Sequence, residues 1–199
     1  MLIPKPLPIK SRLMIAAAFI GWLMVPACTV DVKDHDANGN DKVDITTPIG
    51  GIHVNEDVDV RDTGLTVYPG ARKKPKTGND EKGANVNIST SFFAVRVAAI
   101  EFESDDPPSK VVAFYQDQLK KFGSVVECHT TSHGDDLNVK AGDKDAHLPV
   151  ACKGDNKGNV VELKVGTEDH QHLVSIEPQN KGTDFALVFI ETRGKEGTI

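Results

Sequence analysis

The chain has 199 residues, of which 39% are hydrophobic and 26% are charged, so it is long enough for one ordinary folded domain with extensions. Acidic side chains (29) outnumber basic ones (23), and no basic stripe interleaved with aromatic residues occurs, which argues against nucleic-acid binding. The first 27 residues hold three of the basic side chains and no acidic one. Without them the chain keeps 20 basic against 29 acidic side chains, a net charge of −9.

The N-terminus contains the three parts of an export signal in order. A basic segment, residues 1–12, precedes an uncharged apolar run, residues 13–25, which is shorter than the about 20 residues that a transmembrane helix needs. The motif VPAC at residues 25–28 resembles a bacterial lipobox, whose cysteine is acylated and becomes the new N-terminus. We predict a lipoprotein-type signal peptide over residues 1–27 and lipid attachment at Cys28. Ordinary signal cleavage at the same place is the alternative and would leave a periplasmic or secreted protein.

Residues 28–42 are rich in Asp, Asn and Gly, which predicts an acidic tether. Within it, Asp34, Asp36 and Asn38 match the first half of an EF-hand-type calcium loop. The second half fails, because the position that should hold a bidentate acid is Ile45. A solvated tether is the favoured interpretation, and a calcium site is the alternative.

Two further segments lie before the predicted helix. Residues 43–62 alternate apolar and polar residues around Pro-Ile-Gly-Gly, which predicts a short β arm of two strands. The α+β domain is predicted over residues 63–195. It opens with LTVYPGARK, read as a strand that ends in a Pro-Gly turn. Residues 84–104 predict two strands, or one long strand with a bulge near Ser91.

Residues 107–122 carry nearly every helix signal. Prolines occupy the first turn, apolar residues recur at spacings of three and four, lysines lie in the last turn, and Gly123 follows. Asp105 and Asp106 are the candidates for the N-terminal cap.

Five short apolar runs follow the helix, separated by turn residues, which predicts an antiparallel meander. The runs are SVVECHT, LPVACKG, NVVELKVG, HLVSIEP and DFALVFIETR. With one helix packed against one sheet, the predicted fold class is α+β, a two-layer sandwich.

Three motifs carry a family resemblance: YPGA at residues 68–71, FYxxxL at residues 114–119, and Gly-Thr hairpins at residues 166–167 and 182–183. Together they resemble a set of uncharacterised exported bacterial proteins, over about residues 43–193. The resemblance implies a shared small fold in the cell envelope. It implies no activity.

Three cysteines in an exported chain leave one thiol unexplained. If Cys28 carries lipid, the remainder is even. We therefore predict a disulfide between Cys128 and Cys152, which closes a loop of about 25 residues in an oxidising compartment. Two buried free cysteines are the alternative.

Histidines and aspartates gather around the predicted disulfide loop. His129, His133 and His147 offer zinc-type ligands, but their spacing matches no standard ligand pattern. A polar surface loop is the favoured interpretation, and a zinc site is the alternative. His170 and His172 share one face of a predicted strand and are expected to be exposed near its turn.

No catalytic motif is present, since the chain lacks both a Gly-x-Ser-x-Gly elbow and a phosphate-binding loop. The sequence predicts an exported, lipid-anchored envelope protein that acts as a non-catalytic binding or structural module without a cofactor. Its expected partners are the membrane and an envelope protein or other envelope component. Thr29 lacks the aspartate that retains lipoproteins in the inner membrane of enteric bacteria, so an outer-membrane location facing the periplasm or the surface is expected. A calcium- or zinc-binding module is the second hypothesis, and a hydrolase with an unrecognised site is the third.

Overall fold

One antiparallel sheet and one α-helix form the part of the chain that the structure describes. This computed structural model describes residues 29–31, 42–55, 58–74, 83–132 and 146–194. The strands in chain order are β1 (Thr29–Asp31), β2 (Lys42–Thr47), β3 (Gly50–Asn55), β4 (Arg72–Lys73), β5 (Gly83–Thr90), β6 (Phe93–Ser104), β7 (Val126–Thr130), β8 (Val160–Thr167), β9 (His170–Pro178) and β10 (Thr183–Gly194). Helix α1 (Pro108–Leu119) lies between β6 and β7 in the chain. The predicted α+β class is confirmed.

The strand order across the sheet is β1-β2-β3-β5-β6-β10-β9-β8-β7, and neighbouring strands are antiparallel. β4 pairs with the C-terminal end of β6, beyond the last pair between β5 and β6. The predicted meander accounts for β7 to β10, where each strand pairs with the next in the chain. β6 then pairs with β10 along the whole length of both strands, so the sheet continues into strands that precede the helix. The predicted β arm is the β2–β3 hairpin, and β3 pairs with β5 in the same sheet.

The helix forms where the sequence predicts it. α1 begins at Pro108, a position at which proline loses no hydrogen bond because the first helical N–H groups have no partner in the helix. A 3₁₀ turn (Lys120–Phe122) continues the helix to Gly123, whose N–H donates to the Lys120 carbonyl at 3.2 Å. Within the described ranges, every helix is too short or too polar to cross a bilayer.

The acidic residues predicted to cap α1 have other partners, so that prediction is wrong. The N-cap makes no side-chain hydrogen bond. Asp105 accepts two hydrogen bonds from the Arg72 guanidinium, each 3.0 Å long. Asp106 accepts from the Lys110 ammonium at 2.7 Å and from the Tyr68 hydroxyl at 2.8 Å. These contacts lower the pKa of Asp106 and attach the start of the helix to the segment that carries β4.

The helix packs on one face of the sheet through a fully buried side. Val111, Tyr115 and Leu119, spaced four residues apart, are each 0% exposed. Their buried cluster includes apolar side chains from the central strands: Ile100, Phe102, Leu163, Val165, Val174, Ile176, Phe185 and Leu187. The Tyr115 hydroxyl accepts from the backbone N–H of Tyr68 at 3.0 Å and donates to the Thr66 carbonyl at 3.2 Å. Burial raises the pKa of Tyr115, which keeps this hydroxyl a neutral donor.

The opposite face of the sheet also has buried side chains. Its apolar cluster contains Leu173, Val188 and Ile190. On β8, Glu162 and Lys164 alternate with apolar residues and point to this second face. Their side chains are 0% and 2% exposed, and the Lys164 Nζ lies 3.9 Å from the Glu162 Oε2. β8 is therefore buried on both faces, and one of them holds an ion pair.

Two segments predicted as strands form almost no ladder. Residues 148–154 make a single bridge, between Pro149 and Thr167, because a proline has no N–H to donate and interrupts pairing. Residues 65–68 pair with no strand, and the Pro-Gly turn after them leads into the two-residue β4. The alternative of two strands over residues 84–104 is confirmed, with the turn at residues 91–92.

Candidate functional site

The predicted disulfide is present. Cys128 in β7 is bonded to Cys152, with the two Cα atoms 5.4 Å apart. The bond attaches the segment after residue 146 to the outer strand of the sheet. The same segment is fixed at its start, because the Asp169 N–H donates to the Ala146 carbonyl at 2.8 Å.

Most of the other predicted site residues lie outside the described residues. These are the lipid-attachment candidate Cys28, the calcium candidates Asp34, Asp36 and Asn38, and the zinc candidate His133.

The two zinc candidates that the structure describes are far apart. His129 lies opposite Val161 near the start of β8, with its Nε2 3.4 Å from the Glu127 Oε1. His147 contacts Asp169 beyond the other end of β8, Nδ1 to Oδ2 2.7 Å. Since β8 runs roughly 20 Å between those two points, one metal ion cannot bind both rings. Among the described residues, no three metal-ligating side chains converge on one point.

A line of polar side chains crosses the sheet on the face that also carries the helix. Six strands contribute one residue each, and cross-strand pairs join them in the order Asp44, His53, Asn87, Arg96, Glu191, His170. Directly opposed residues of antiparallel strands have Cβ atoms about 5 Å apart, so neighbouring members of this line can contact one another. The Asp44 carboxylate and the His53 ring do so through a hydrogen bond.

A cavity of about 320 Å³ lies over the middle of this line. We call it the polar groove, and its lining residues come from β5, β6 and β10: Asn85, Asn87, Ala94, Val95, Arg96, Glu191 and Arg193. Alternation places all of them except Val95 on this face, because residues two apart in a strand share a face, whereas Val95 pairs with Ile88. The intervening Val86 and Ile88 of β5 therefore point to the other side of the sheet.

Charges of both signs line the groove. Asp62, from the 3₁₀ turn Val60–Thr63, accepts from the Asn85 amide at 3.3 Å and lies 3.5 Å from the Arg96 guanidinium. The Glu191 carboxylate lies 3.6 Å from the Arg193 guanidinium. Two cations thus oppose two carboxylates, and the exposed Asn87 adds an amide that can both donate and accept.

An aromatic contact supports the arginine of the groove. The Arg96 guanidinium lies over the Phe189 ring at 5.7 Å, within the range of a cation–π contact. Phe189 also contacts the His172 ring, with centroids 5.0 Å apart. Arg96 is thereby held between Asp62 and a buried aromatic group, which limits the conformations it must lose on binding a ligand.

His172 joins the 3₁₀ turn beside the groove to the end of the helix. It is 6% exposed, so its predicted exposure is wrong, whereas His170 is exposed as predicted. The ring stacks on Phe122 at 3.8 Å, and its Nδ1–H donates to the Thr63 carbonyl at 2.9 Å. Burial lowers the pKa of His172, and the neighbouring His170 and Lys121 lower it further. The ring is therefore neutral near pH 7.

The lowered pKa of His172 predicts a loss of stability in acid. The unfolded chain binds this proton more readily than the folded one, so stability from neutral His172 is present above the usual histidine pKa of about 6.5 and is lost as the pH falls below it. We expect His172→Gln, whose amide can still donate to Thr63, to lose less unfolding free energy than the wild type between about pH 7 and pH 5. Urea unfolding at several pH values measures this. Asn180→Gln, in the exposed turn before β10, is the matched control and should keep the wild-type dependence; equal pH dependence of His172→Gln and wild type would contradict the assignment.

The residues of the polar groove were not among those predicted from the sequence. Asn85, Asn87, Arg96, Glu191 and Arg193 each occupy an ordinary polar position of an alternating strand. The available signal was the alternation of polar residues with Val86 and Ile88 in β5. That alternation indicates a solvated face, and only the pairing of β6 with β10 turns it into a groove.

Comparisons with known proteins give no assignment for this groove. The chain matches no family model, no curated protein and no solved structure.

Proposed function

We propose that the protein is an exported, lipid-anchored envelope protein, located in the outer membrane, whose polar groove binds an uncharged, hydroxyl-rich envelope component, a glycan. It acts as a binding module without catalysis. The observation that carries this proposal is the line of polar side chains across the sheet and the cavity over it.

The proposed export and lipid attachment rest on the sequence. The basic, apolar and VPAC segments stand in the order of a lipoprotein signal, and the even cysteine count after Cys28 fits a disulfide made in an oxidising compartment. The disulfide between Cys128 and Cys152 supports export for the same reason.

The ligand class rests on the chemistry of the groove. A sugar hydroxyl donates one hydrogen bond and accepts others, so it is complemented by amides and by neighbouring guanidinium and carboxylate groups. Asn85 and Asn87 supply amides, Arg96 supplies a planar fork of donors, and Glu191 supplies acceptors. The cavity of about 320 Å³ is at the small end of the range for small-molecule sites.

Other partner classes fit the groove less well. Its two arginines are offset by two carboxylates, and the whole chain is acidic, so a polyanion gains little there. A protein partner usually contributes an aromatic or arginine anchor that fills an apolar pocket, and the lining here is mostly polar. A neutral polar ligand fits both the balanced charge and the polar lining of the groove.

The proposed architecture is a two-layer sandwich in which the helix covers only part of one sheet face. The helix contacts β8 and β9, as the burial of Val111, Tyr115 and Leu119 indicates. The groove lies further along the same face, over β5, β6 and β10, where ligand has access. The 3₁₀ turn with Asp62 forms the border between the two regions.

Titration of the protein, purified from its own membrane in detergent, with chitotetraose and with maltotetraose, two uncharged oligosaccharides, tests the proposal. We expect saturable binding by calorimetry. Asn87→Ala combined with Arg96→Gln should weaken it at least tenfold, because each lost hydrogen bond contributes about 1 kcal/mol or more. Asn180→Ala, in the exposed turn before β10, is the matched control and should bind like the wild type. Binding that is absent for both probes, or equal in wild type and groove variant, would sink the proposal.

A further inference from the structure

Three large apolar side chains are exposed together at one end of the sheet. In the described residues six large apolar side chains are exposed, and Ile49 (69%), Phe92 (68%) and Phe93 (40%) are among them. Ile49 lies in the β2–β3 turn, and the two phenylalanines lie at the β5–β6 turn. The Ser91 N–H donates to the Ile49 carbonyl at 3.2 Å, so the two turns touch. Single exposed apolar residues are ordinary, but a contiguous group marks an interaction surface. We call Ile49, Phe92 and Phe93 the apolar tip.

The backbone of the apolar tip is held in place by its own hydrogen bonds. The Thr90 hydroxyl accepts from the N–H groups of Phe92 and Phe93, at 3.2 and 3.0 Å. The Thr47 hydroxyl donates to the Gly50 carbonyl at 2.8 Å. A Cβ on Gly50 would lie 2.3 Å from the Ser89 carbonyl oxygen, so glycine is required where the two hairpins meet. The backbone of the apolar tip is therefore fixed, and its three apolar side chains are exposed to solvent.

The two turns that form the apolar tip carry no charged side chain. Residues 46–51 and 89–94 contain no charged side chain, although the chain has 29 acidic residues. Arg193, 77% exposed, lines the same recess as Phe92 and Phe93, and its guanidinium lies 3.6 Å from the Glu191 carboxylate. Apolar side chains beside an exposed arginine suit the boundary of a bilayer with anionic headgroups.

The chain enters the sheet at this same end. Thr29, the residue directly after Cys28, pairs with Thr46, which lies three residues before Ile49. An acyl group on Cys28 would therefore enter the bilayer beside the apolar tip. The position of the acyl group rests on the lipid attachment in the proposed function. The exposure of the apolar tip and the lack of charged side chains in its two turns do not depend on it.

We propose that the apolar tip inserts into the interface of a lipid bilayer and, together with the anchor, fixes the orientation of the sheet on the membrane. The strands then stand up from the surface. Arg96 lies three residues along β6 from Phe93, so the polar groove opens sideways about 10 Å above the tip. A glycan close to the membrane surface would be within its reach.

Tryptophan probes test the proposal, because the only tryptophan of the chain is Trp22, inside the predicted signal peptide. Phe92→Trp places a probe in the tip, and Ile49→Trp places a second one in the other turn. Gln179→Trp is the matched control: it is exposed in the turn before β10, roughly 35 Å from the tip along that strand. Each protein is purified from its own membrane and reconstituted into vesicles of phosphatidylcholine and phosphatidylglycerol with brominated acyl chains. The unsubstituted protein gives the background.

We expect the tip probes to shift to shorter emission wavelength and to be quenched by the brominated lipid, while the control probe stays unquenched. Intact mass of the same samples shows whether Cys28 is acylated. Acylated protein with unquenched tip probes overturns the tip proposal and leaves the anchor standing. Quenched tip probes on protein without acylation uphold the tip and remove the anchor. A wavelength shift that needs no vesicles and grows with protein concentration would assign the tip to a second copy of the chain and overturn the proposal.

Discussion

Replacing Lys164 by Met is expected to lower the free energy of unfolding by about 3–5 kcal/mol. Lys164 and Glu162 are almost fully buried and form an ion pair within β8, and each makes at least one further contact. Removing the ammonium leaves the Glu162 carboxylate in a medium where an uncompensated charge is costly. Urea unfolding followed by circular dichroism measures the change.

Two further variants separate the charge effect from a packing effect. Glu162→Leu combined with Lys164→Met should be closer to wild type than Lys164→Met alone, because it also removes the buried carboxylate that the single substitution deprives of its ammonium partner. Lys120→Met is the matched control: Lys120 is 69% exposed and pairs with Asp117 at the surface, so its loss should change stability by less than about 0.5 kcal/mol. The assignment fails if the single and double variants at β8 are equally destabilised.

The buried ion pair shows that an alternating pattern predicts a strand but does not predict whether its polar face is buried. The run VVELKV in β8 predicts a strand correctly, and its two charged residues occupy alternate positions that in most antiparallel strands face water. Here β8 lies between β7 and β9 with both faces covered. Alternation within the strand does not show whether the second face is covered, so the sequence pattern could not predict the burial of these two residues.

The helix is the element that local chemistry predicts best. Its prolines, its apolar spacing and Gly123 each act within one or two turns, so residues 107–122 could be assigned from the sequence with bounds close to α1 and the 3₁₀ turn after it. The caps were the exception. Asp105 bonds to Arg72, and Asp106 bonds to Tyr68 as well as to the nearby Lys110. Arg72 and Tyr68 are more than 30 residues away, and no local signal indicates them.

The prediction of a strand around Cys152 is wrong for a different reason. Residues 148–154 have the composition of a strand, but Pro149 cannot donate to a ladder and the disulfide attaches the segment to β7 through side chains. Composition cannot separate these two ways of attaching an apolar run to a sheet. The cysteine count could, since it predicted the covalent partner correctly.

The polar groove depends on register, which the sequence leaves open. Asn87 and Arg96 are near neighbours through the short β5–β6 turn, so that pair was within reach of local reasoning. Glu191 joins them only because β10 pairs with β6 across about 90 intervening residues. A shift of one residue would put Glu191 on the other face of the sheet and abolish the groove.

Replacing Cys128 and Cys152 by Ala is expected to lower the free energy of unfolding by about 3.5 kcal/mol, the chain-entropy value for a loop of about 25 residues. For a domain of this size that loss lowers Tm by roughly 7–14 °C. Calorimetry of the wild type and the double variant measures both quantities. The position of the bond adds a second effect, because Cys128 lies in β7, the last strand at one edge of the sheet.

The edge of β7 is protected by the segment that the disulfide holds. The Asn156 side chain accepts from the backbone N–H of His129 at 2.6 Å, and a Cβ on Gly158 would lie only 1.7 Å from the Thr130 carbonyl oxygen, so this segment contacts the strand closely. Release of the bond should expose an unpaired strand edge and promote association, which light scattering detects. The matched control is reductant: it should destabilise the wild type as much as the double substitution and leave the double variant unchanged. If the reduced wild type gains two mass units yet keeps its Tm and stays monomeric, other contacts hold the segment on β7 and the disulfide adds little to the fold.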